Sequence, residues 1–329
     1  MNVNQNIENN TYQHIQNIAP LHLKKESSAS ACGKAILIGE HAVLYGAKAI
    51  AMPLPELRMK MSIVPDLQSS GGISLKLAGN EVDSQIKAVV GDALKLLNIV
   101  TDRVSIEGAS SLPIGAGLGS SATLCIAILR LLNNSWGIGA TPNELAIMAN
   151  ELEKRFHGNP SGLDASVVAF EKFISFRKGE TIKPLQSLNE SDSWHFAIVD
   201  SGLRASTNIM IKKAKPWFTN KTFGEQRINH FDDLAIHAQK YLSNQNHHDL
   251  ADIITETNKL LFESGIIPAK LDEIITVIKK LGIPAAKITG AGGGGSILCL
   301  LTANAHDQQM NLLQQNFGKE KVFHANPKI

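Results

Sequence analysis

The sequence predicts an α+β protein of two domains, and three observations carry that reading. Strand-like and helix-like stretches are mixed without the regular strand-helix alternation of a doubly wound sheet. Two glycine-rich loops interrupt apolar runs, one of them leading straight into a helical pattern. The 329 residues, 43% of them hydrophobic, suffice for a large core and two domains of ordinary size.

The elements follow in order. Residues 1–28 are rich in Asn and Gln, lack the basic start and apolar segment of a signal peptide, and read as a mobile leader. Regular structure begins in "SSASACGKAILIGEHAVLYGAKAIAMPL", where Gly33, Gly39 and Gly46 punctuate short apolar runs as in strands joined by tight turns. "ELRMKMSIVP", "GGISLKLAG" and "RVSIEGA" read as further strands, and "EVDSQIKAVVGDALKLLNI" as an amphipathic helix. After the loop "GAGLG", helices are expected over about residues 120–133 and 142–155, the second capped by Thr141 with Pro142 in its first turn. The polar stretch "KGETIKPLQSLNESDS" contains Pro184 and sets the expected boundary between domains 29–187 and 188–329. Beyond it come a strand in "HFAIVDSG" and helices in "INHFDDLAIHAQKYL", "HDLADIITETNKLLFES" and "AKLDEIITVIKKLG". The segment "AAKITGAGGGGSILCLL" then reads as strand, glycine loop, strand.

Composition excludes several partners. Lys and Arg number 32 against 30 Asp and Glu, so a net charge of +2 offers no broad field for nucleic acid or an anionic membrane. No run of eighteen apolar residues provides a membrane span. Cys32, Cys125 and Cys299 are odd in number and without metal-ligand spacing, which suits reduced, buried thiols in a cytoplasmic protein.

An anion must therefore be caught locally, and "PIGAGLGSSA" is built to do so. Glycines at 115, 117 and 119 let a ligand approach backbone N–H groups without a Cβ in the way, and the helix beginning near Ser120 adds its dipole. Ser120 and Ser121 add hydroxyls for a phosphate or for a metal bound to it. The loop is neither a Walker A sequence, since it lacks the lysine, nor a Gly-x-Gly-x-x-Gly fingerprint. A tight turn before a buried helix is the plainer alternative.

Two further stretches supply what phosphoryl transfer needs, namely positioning, charge stabilisation and a group to take the acceptor's proton. "CGKAILIGEHAVLYG" carries Lys34, Glu40 and His41; "LEKRFHGNPSGLDASV" carries Glu153, His157, Ser161 and Asp164. One carboxylate and one hydroxyl suffice for Mg²⁺, which keeps its other sites for phosphate and water. Taken singly each has a duller reading. Glu153 fits a solvated face in which Glu151 pairs with Arg155, Asp164 a helix cap, Lys34 a surface charge, and both histidines a structural role.

With these segments together, the chain resembles the GHMP kinase superfamily, and within it the mevalonate branch. "GKAILIGEHAVLYG", "PIGAGLGSSA", "HGNPSGLD" and "KITGAGGGGS" occur in the family order across roughly residues 30–300. The resemblance implies an N-terminal domain like ribosomal protein S5 domain 2 and a ferredoxin-like C-terminal domain, with ATP and a small-molecule substrate, mevalonate, between them. It implies transfer of phosphate to the C5 hydroxyl, with Asp164 as the catalytic aspartate and Lys34 as its lysine partner. Ser121 and Glu153 match magnesium ligands; Pro113, Gly115, Ala116, Gly117, Leu118, Gly119, Ser120 and Ser121 match the triphosphate cradle. Glu40, His41, Thr207 beside Ser206, and Gly292 in the third motif fall where the family meets substrate or organises the site. Ser296 stands where many relatives carry cysteine, an exchange of small residues expected to change little. A homodimer is a further family expectation.

Overall fold

The structure, a computed structural model, describes residues 27–64, 72–101, 103–186 and 194–328. Residues 1–26 of the expected leader and the expected boundary at 187/188 lie outside the described residues. The chain forms two compact units that interleave along the sequence. One comprises Met1–Cys32, Leu57–Leu112 and Ser121–Phe170; the other comprises Gly33–Glu56, Pro113–Ser120 and Glu171–Ile329. The chain passes between them inside two long strands, β1 (Ser28–Ile38) and β2 (Ala49–Ile63).

In the first unit, β3 (Gly72–Leu77), β4 (Asn80–Glu81) and β5 (Arg103–Ser110) join the second half of β2 in the order β4-β3-β5-β2. β5 runs antiparallel to β2, Met59 facing Ser110 and Ile63 facing Ile106. β3 and β5 are parallel, which requires a crossover, and α1 (Ser84–Leu96) lies between them in the chain. Asp83 caps α1 by accepting from Ile86 N, and Val89, Val90, Ala93 and Leu94 form its buried stripe.

Helix α2 (Ser120–Trp136) is buried on nearly all sides, which explains its continuous apolar sequence. It runs three residues past the expected end because Ser135 hydrogen-bonds back to Leu131 O and Trp136 is buried. Two side chains tie it to its surroundings. Thr123 Oγ1 donates to Cys32 O at 3.0 Å, and the Arg130 guanidinium donates to Ser30 O, Val168 O and Ala169 O at 2.8, 3.2 and 2.9 Å. Helix α3 (Pro142–His157) starts as expected, with Thr141 and Glu144 forming a reciprocal capping box. A short α4 (Leu163–Phe170), which the sequence offered only through the reading of Asp164 as a helix cap, packs against α3 and holds Asp164 in its first turn.

In the second unit, Ala49–Ala51 of β2 pair with β6 (Ile174–Phe176), which pairs with β7 (Lys183–Pro184). A separate antiparallel sheet has the order β11-β8-β10-β9, from β8 (Phe196–Asp200), β9 (Ala285–Thr289), β10 (Ser296–Leu300) and β11 (Val322–Ala325). Every residue of β8, β9 and β10 is buried. Helices α5 (Thr207–Phe218), α6 (Gly224–Ser243), α7 (His247–Glu263), α8 (Ala269–Lys280) and α9 (His306–Phe317) complete the unit. α7 and α8 pack on β9, and α9 on β8 and β11. Helix α5 is not among the helices expected from the sequence, and it carries Pro216 inside it. It is held instead by anchors four residues apart, Met210, Ala214 and Phe218, with Phe218 stacked on Tyr45 at a centroid distance of 5.1 Å. Cys32, Cys125 and Cys299 are buried, and no disulfide joins them among the described residues. No helix among the described residues is long and apolar enough to cross a membrane.

Arg130 satisfies three carbonyls of its own unit, so Arg130→Met orphans them and is expected to lower unfolding stability by about 2–3 kcal/mol. Urea denaturation of the two proteins checks this.

Candidate active site

The glycine loop belongs to the second unit and is anchored through its non-glycine positions. The side chains of Ala116 and Leu118 are fully buried while Gly115 and Gly117 lie at the surface. Ala116 and Leu118 thus offer only backbone to a ligand, and their burial fixes where the intervening glycines sit. Ile114 is 88% exposed, the one large apolar side chain of the loop left in solvent.

Three neighbouring segments of the same unit hold this loop. Lys34 N donates to Leu118 O at 3.0 Å, and the Lys34 stem crosses Gly119 so closely that a Cβ there would lie 2.7 Å from Lys34 Cγ. Gly119 also has φ +77°, so both backbone conformation and space demand glycine. The loop 290–295 presses bare backbone on the first loop: a Cβ on Gly290 would stand 3.0 Å from Gly117 O. Ser296 Oγ donates to Ala116 O at 2.9 Å, so this serine is not an idle substitute for cysteine but a specific hydrogen-bond donor to the glycine loop.

Arg204 is the third support, and sequence reasoning missed it. Its Nε donates to Ile114 O at 2.8 Å and its side chain lies over Gly115. Its two terminal nitrogens form a fork on Asp200, at 2.7 and 2.8 Å. Burial alone would raise the Asp200 carboxyl, but the hydrogen bonds from Arg204 and Gly202 N, with the Arg204 charge, hold it below its ordinary value. The turn carrying both residues is itself bonded to the 290–295 loop, through Ser201 Oγ to Gly295 O at 2.6 Å and Gly295 N to Leu203 O at 2.8 Å. The signal in the sequence was the Asp-Arg spacing of four in "DSGLR".

Glu40 and His41 follow β1 at the entry to the 3-10 turn Ala42–Tyr45, and both are buried. His41 has φ 58°, a left-handed conformation rare outside glycine, and its Nε2 lies 2.9 Å from Ala291 O. A carbonyl only accepts, so Nε2 carries the proton and Nδ1 is the acceptor of the neutral ring. Burial pushes the His41 pKa down, which favours that neutral form, although the bond to Ala291 acts the other way.

Glu40 meets a lysine the sequence reading passed over, Lys287 of β9, and both side chains are wholly buried. Lys287 Nζ donates to Glu40 Oε1, to Ile36 O at 3.2 Å and to Ile288 O at 2.6 Å. Three acceptors match the three N–H bonds of an ammonium group. Burial pushes the Glu40 carboxyl up and the Lys287 amine down, each countered by the charge of the other.

Thr207 opens α5 and is exposed, with Ser206 at the N-cap. Gly292 is buried, and a Cβ there would stand 2.9 Å from Ile266 O, so the need for glycine at this position comes from a protein contact.

The first unit carries Ser121, Glu153, His157 and Asp164. Glu153 is 2% exposed, which overturns the solvated-face alternative. The outward pairs on α3 are Lys154 with Glu151 and Arg155 with Asp92 of α1. Ser121 Oγ donates to Glu153 Oε1 at 3.0 Å and lies 3.0 Å from His157 Nε2. Serine from the first turn of α2 and glutamate from the last turns of α3 thus converge. Asp164 sits half-buried in the first turn of α4, where the helix dipole favours a carboxylate. Ser161 Oγ accepts from Leu163 N at 3.2 Å and Ser166 Oγ donates to Gly162 O at 2.6 Å, fixing the turn that presents it.

Residues 85–172 match the model of the GHMP kinases N terminal domain and residues 238–318 that of the GHMP kinases C terminal domain. The chain is 31% identical over 276 residues to a mevalonate kinase of Archaeoglobus fulgidus, covering 83% of this chain and 91% of the relative. It is 28% identical over 286 residues to a mevalonate kinase of Saccharolobus solfataricus, covering 83% and 89%. In fold it is similar to L. major mevalonate kinase in complex with R-mevalonate, with a TM-score of 0.79 at 19% identity, covering 94% of this chain and 98% of that one. A clamped glycine loop, a lysine laid over it and both domain matches in order define the class: the chain belongs to the GHMP kinases.

Arg204→Ala removes the side chain that joins the glycine loop to Asp200. The expected outcome is a KM for ATP raised about tenfold with the far-ultraviolet circular dichroism unchanged. Steady-state kinetics with varied ATP measure it.

Proposed function

We propose that this chain is an ATP-dependent kinase that transfers the γ-phosphate to the C5 hydroxyl of mevalonate, giving 5-phosphomevalonate. The observation that carries this is Lys34, bonded through its backbone to the phosphate loop and lying across Gly119, on a chain whose relatives are mevalonate kinases.

Each residue then has a role in a reaction that is mostly positioning and charge stabilisation. The loop from Pro113 to Ser120, through the backbone N–H groups that follow the proline, and Ser121 hold the triphosphate at the start of α2. Asp164 accepts the proton of the C5 hydroxyl as the oxygen attacks, and Lys34 offsets negative charge on the attacking oxygen and the transferred group. Glu40, His41 and Thr207 orient the acceptor, His41 with its Nδ1 as an acceptor atom.

Ser121 Oγ and Glu153 Oε1, 3.0 Å apart, are hard oxygen donors, the serine half-buried and the glutamate buried, and of the type Mg²⁺ takes. His157 does not suit that ion and instead orients the Ser121 hydroxyl. When bound, Mg²⁺ would neutralise charge on the phosphate oxygens. Three buried cysteines outside any disulfide favour a reducing compartment, the cytoplasm.

ADP release with Mg·ATP is measured against mevalonate, mevalonate 5-phosphate, galactose and homoserine, and the product is read by NMR. Phosphate on C5 of mevalonate is expected; exclusive turnover of another acceptor would contradict the proposal. Asp164→Asn is expected to lower kcat about a hundredfold to ten-thousandfold with ATP binding retained, as calorimetry can measure. Glu153→Gln is expected to raise the Mg²⁺ concentration for half-maximal rate about tenfold, read from a metal titration at saturating ATP.

A further inference from the structure

The turn that carries His41 is gripped from its far end. From Gly39 to Ala47 the backbone is tied together by a run of short-range bonds, among them Val43 N to Gly39 O, Leu44 N to His41 O and Ala47 N to Ala42 O at 3.1, 2.9 and 3.2 Å. Where this run ends, two side chains close on it. Asp232 of α6 accepts from Lys48 N at 2.7 Å, and Arg177, the residue after β6, donates to Gly46 O at 2.7 Å. The same two side chains also meet each other, one terminal nitrogen of Arg177 lying 2.6 and 2.8 Å from the two carboxylate oxygens of Asp232. Phe231, the residue before Asp232, is wholly buried and packs on Phe218 of α5, the ring on which Tyr45 of the turn is stacked. Two consecutive residues of α6 thus register both the turn behind His41 and the helix that Thr207 opens.

A partly exposed ion pair contributes little to stability by itself. Here each partner also ends on backbone of the turn, and that turn holds a strained residue. His41 has φ 58°, a conformation that persists outside glycine only where the surrounding structure over-determines it. The bond at Ala291 O fixes its ring, and the clamp at Gly46 and Lys48 fixes the backbone that follows it. We propose that Asp232 and Arg177 are positioning residues for the acceptor substrate: they clamp the turn so that His41 keeps the backbone from which its ring orients the acceptor. The inference rests on the kinase reading above and assigns neither residue a contact with ATP or with the reacting atoms. The glycine loop is held by a different set of residues, Lys34, Arg204 and Ser296, so loosening the clamp disturbs the acceptor and spares the nucleotide.

The test is steady-state kinetics on Asp232→Ala, Arg177→Met and the combined variant, scored by kcat/KM for mevalonate, KM for ATP and thermal midpoint. Each single change is expected to lower kcat/KM for mevalonate about tenfold or more while the KM for ATP stays within about twofold. The combined variant is no worse than the worse single, because the two side chains form one clamp. Asp232→Asn, whose amide oxygen can still accept from Lys48 N, recovers part of the loss. Lower midpoints with wild-type kinetics on both substrates would reduce the pair to a structural role and overturn the proposal. So would equal losses on mevalonate and ATP, or single effects that multiply in the combined variant. Should Asp232→Ala not fold, Asp232→Asn and Arg177→Met supply the same comparison. If the wild type ignores mevalonate but turns over another acceptor, the mevalonate reading fails and the cycle is scored on that acceptor. Wild type inactive on every acceptor would defeat both readings, whereas active wild type with no split between acceptor and ATP in the variants would defeat this inference alone.

Discussion

The second unit depends on the contact of two stretches of bare backbone. Gly117 and Gly290 meet where a side chain on either would strike the other strand of chain: a Cβ on Gly117 would lie 3.2 Å from Thr289 O, and one on Gly290 3.0 Å from Gly117 O. That contact lets the segment between β9 and β10 reach the first glycine loop through hydrogen bonds instead of side-chain packing. Ser296 holds Ala116, Ser201 and Leu203 hold Gly295, and Arg204 closes the frame at Ile114. A loop so tethered has little freedom left to lose when an anion arrives, which is the entropic advantage of preorganisation.

Charge is distributed within that frame in fixed pairs. Arg204 is spent on Asp200, and Lys287 on Glu40, so neither cation is available as a mobile phosphate ligand. Lys34 is distinguished by its place across Gly119, beside the loop it would serve. The first unit repeats the principle with its own elements. Glu153 would be costly as an isolated buried carboxylate, and the Ser121 hydroxyl accounts for one of its oxygens while His157 engages that hydroxyl in turn.

The sequence disclosed the parts that depend on local chemistry. The capping box at Thr141, the amphipathic stripe of α1 and the strand-loop-strand of β9 and β10 each follow from a few adjacent residues. What stayed hidden depends on tertiary partners. Helix α5 contradicts its own Pro216 and is held by Phe218 stacked on Tyr45, more than 150 residues earlier in the chain. The charged run "ELEKR" gives no hint that its middle glutamate is buried, because that follows from the rotation of α3 against α1 and α4. Lys287 and Arg204 escaped for the same reason: a lone lysine in "AAKIT" and an arginine in a turn acquire meaning only from partners such as Glu40 and Ile114. Ser296 was read by size when its hydroxyl is what matters.

The central claim is that the glycine loop is a phosphate cradle whose shape is set by Lys34 lying across Gly119. Gly119→Ala tests it most directly, since the added methyl must displace Lys34 and the residue must hold a positive φ. Titration calorimetry of Mg·ATP into the folded variant is expected to show affinity at least about tenfold weaker than wild type. Wild-type ATP affinity in that variant would contradict the account, for the loop would then bind nucleotide without the geometry described.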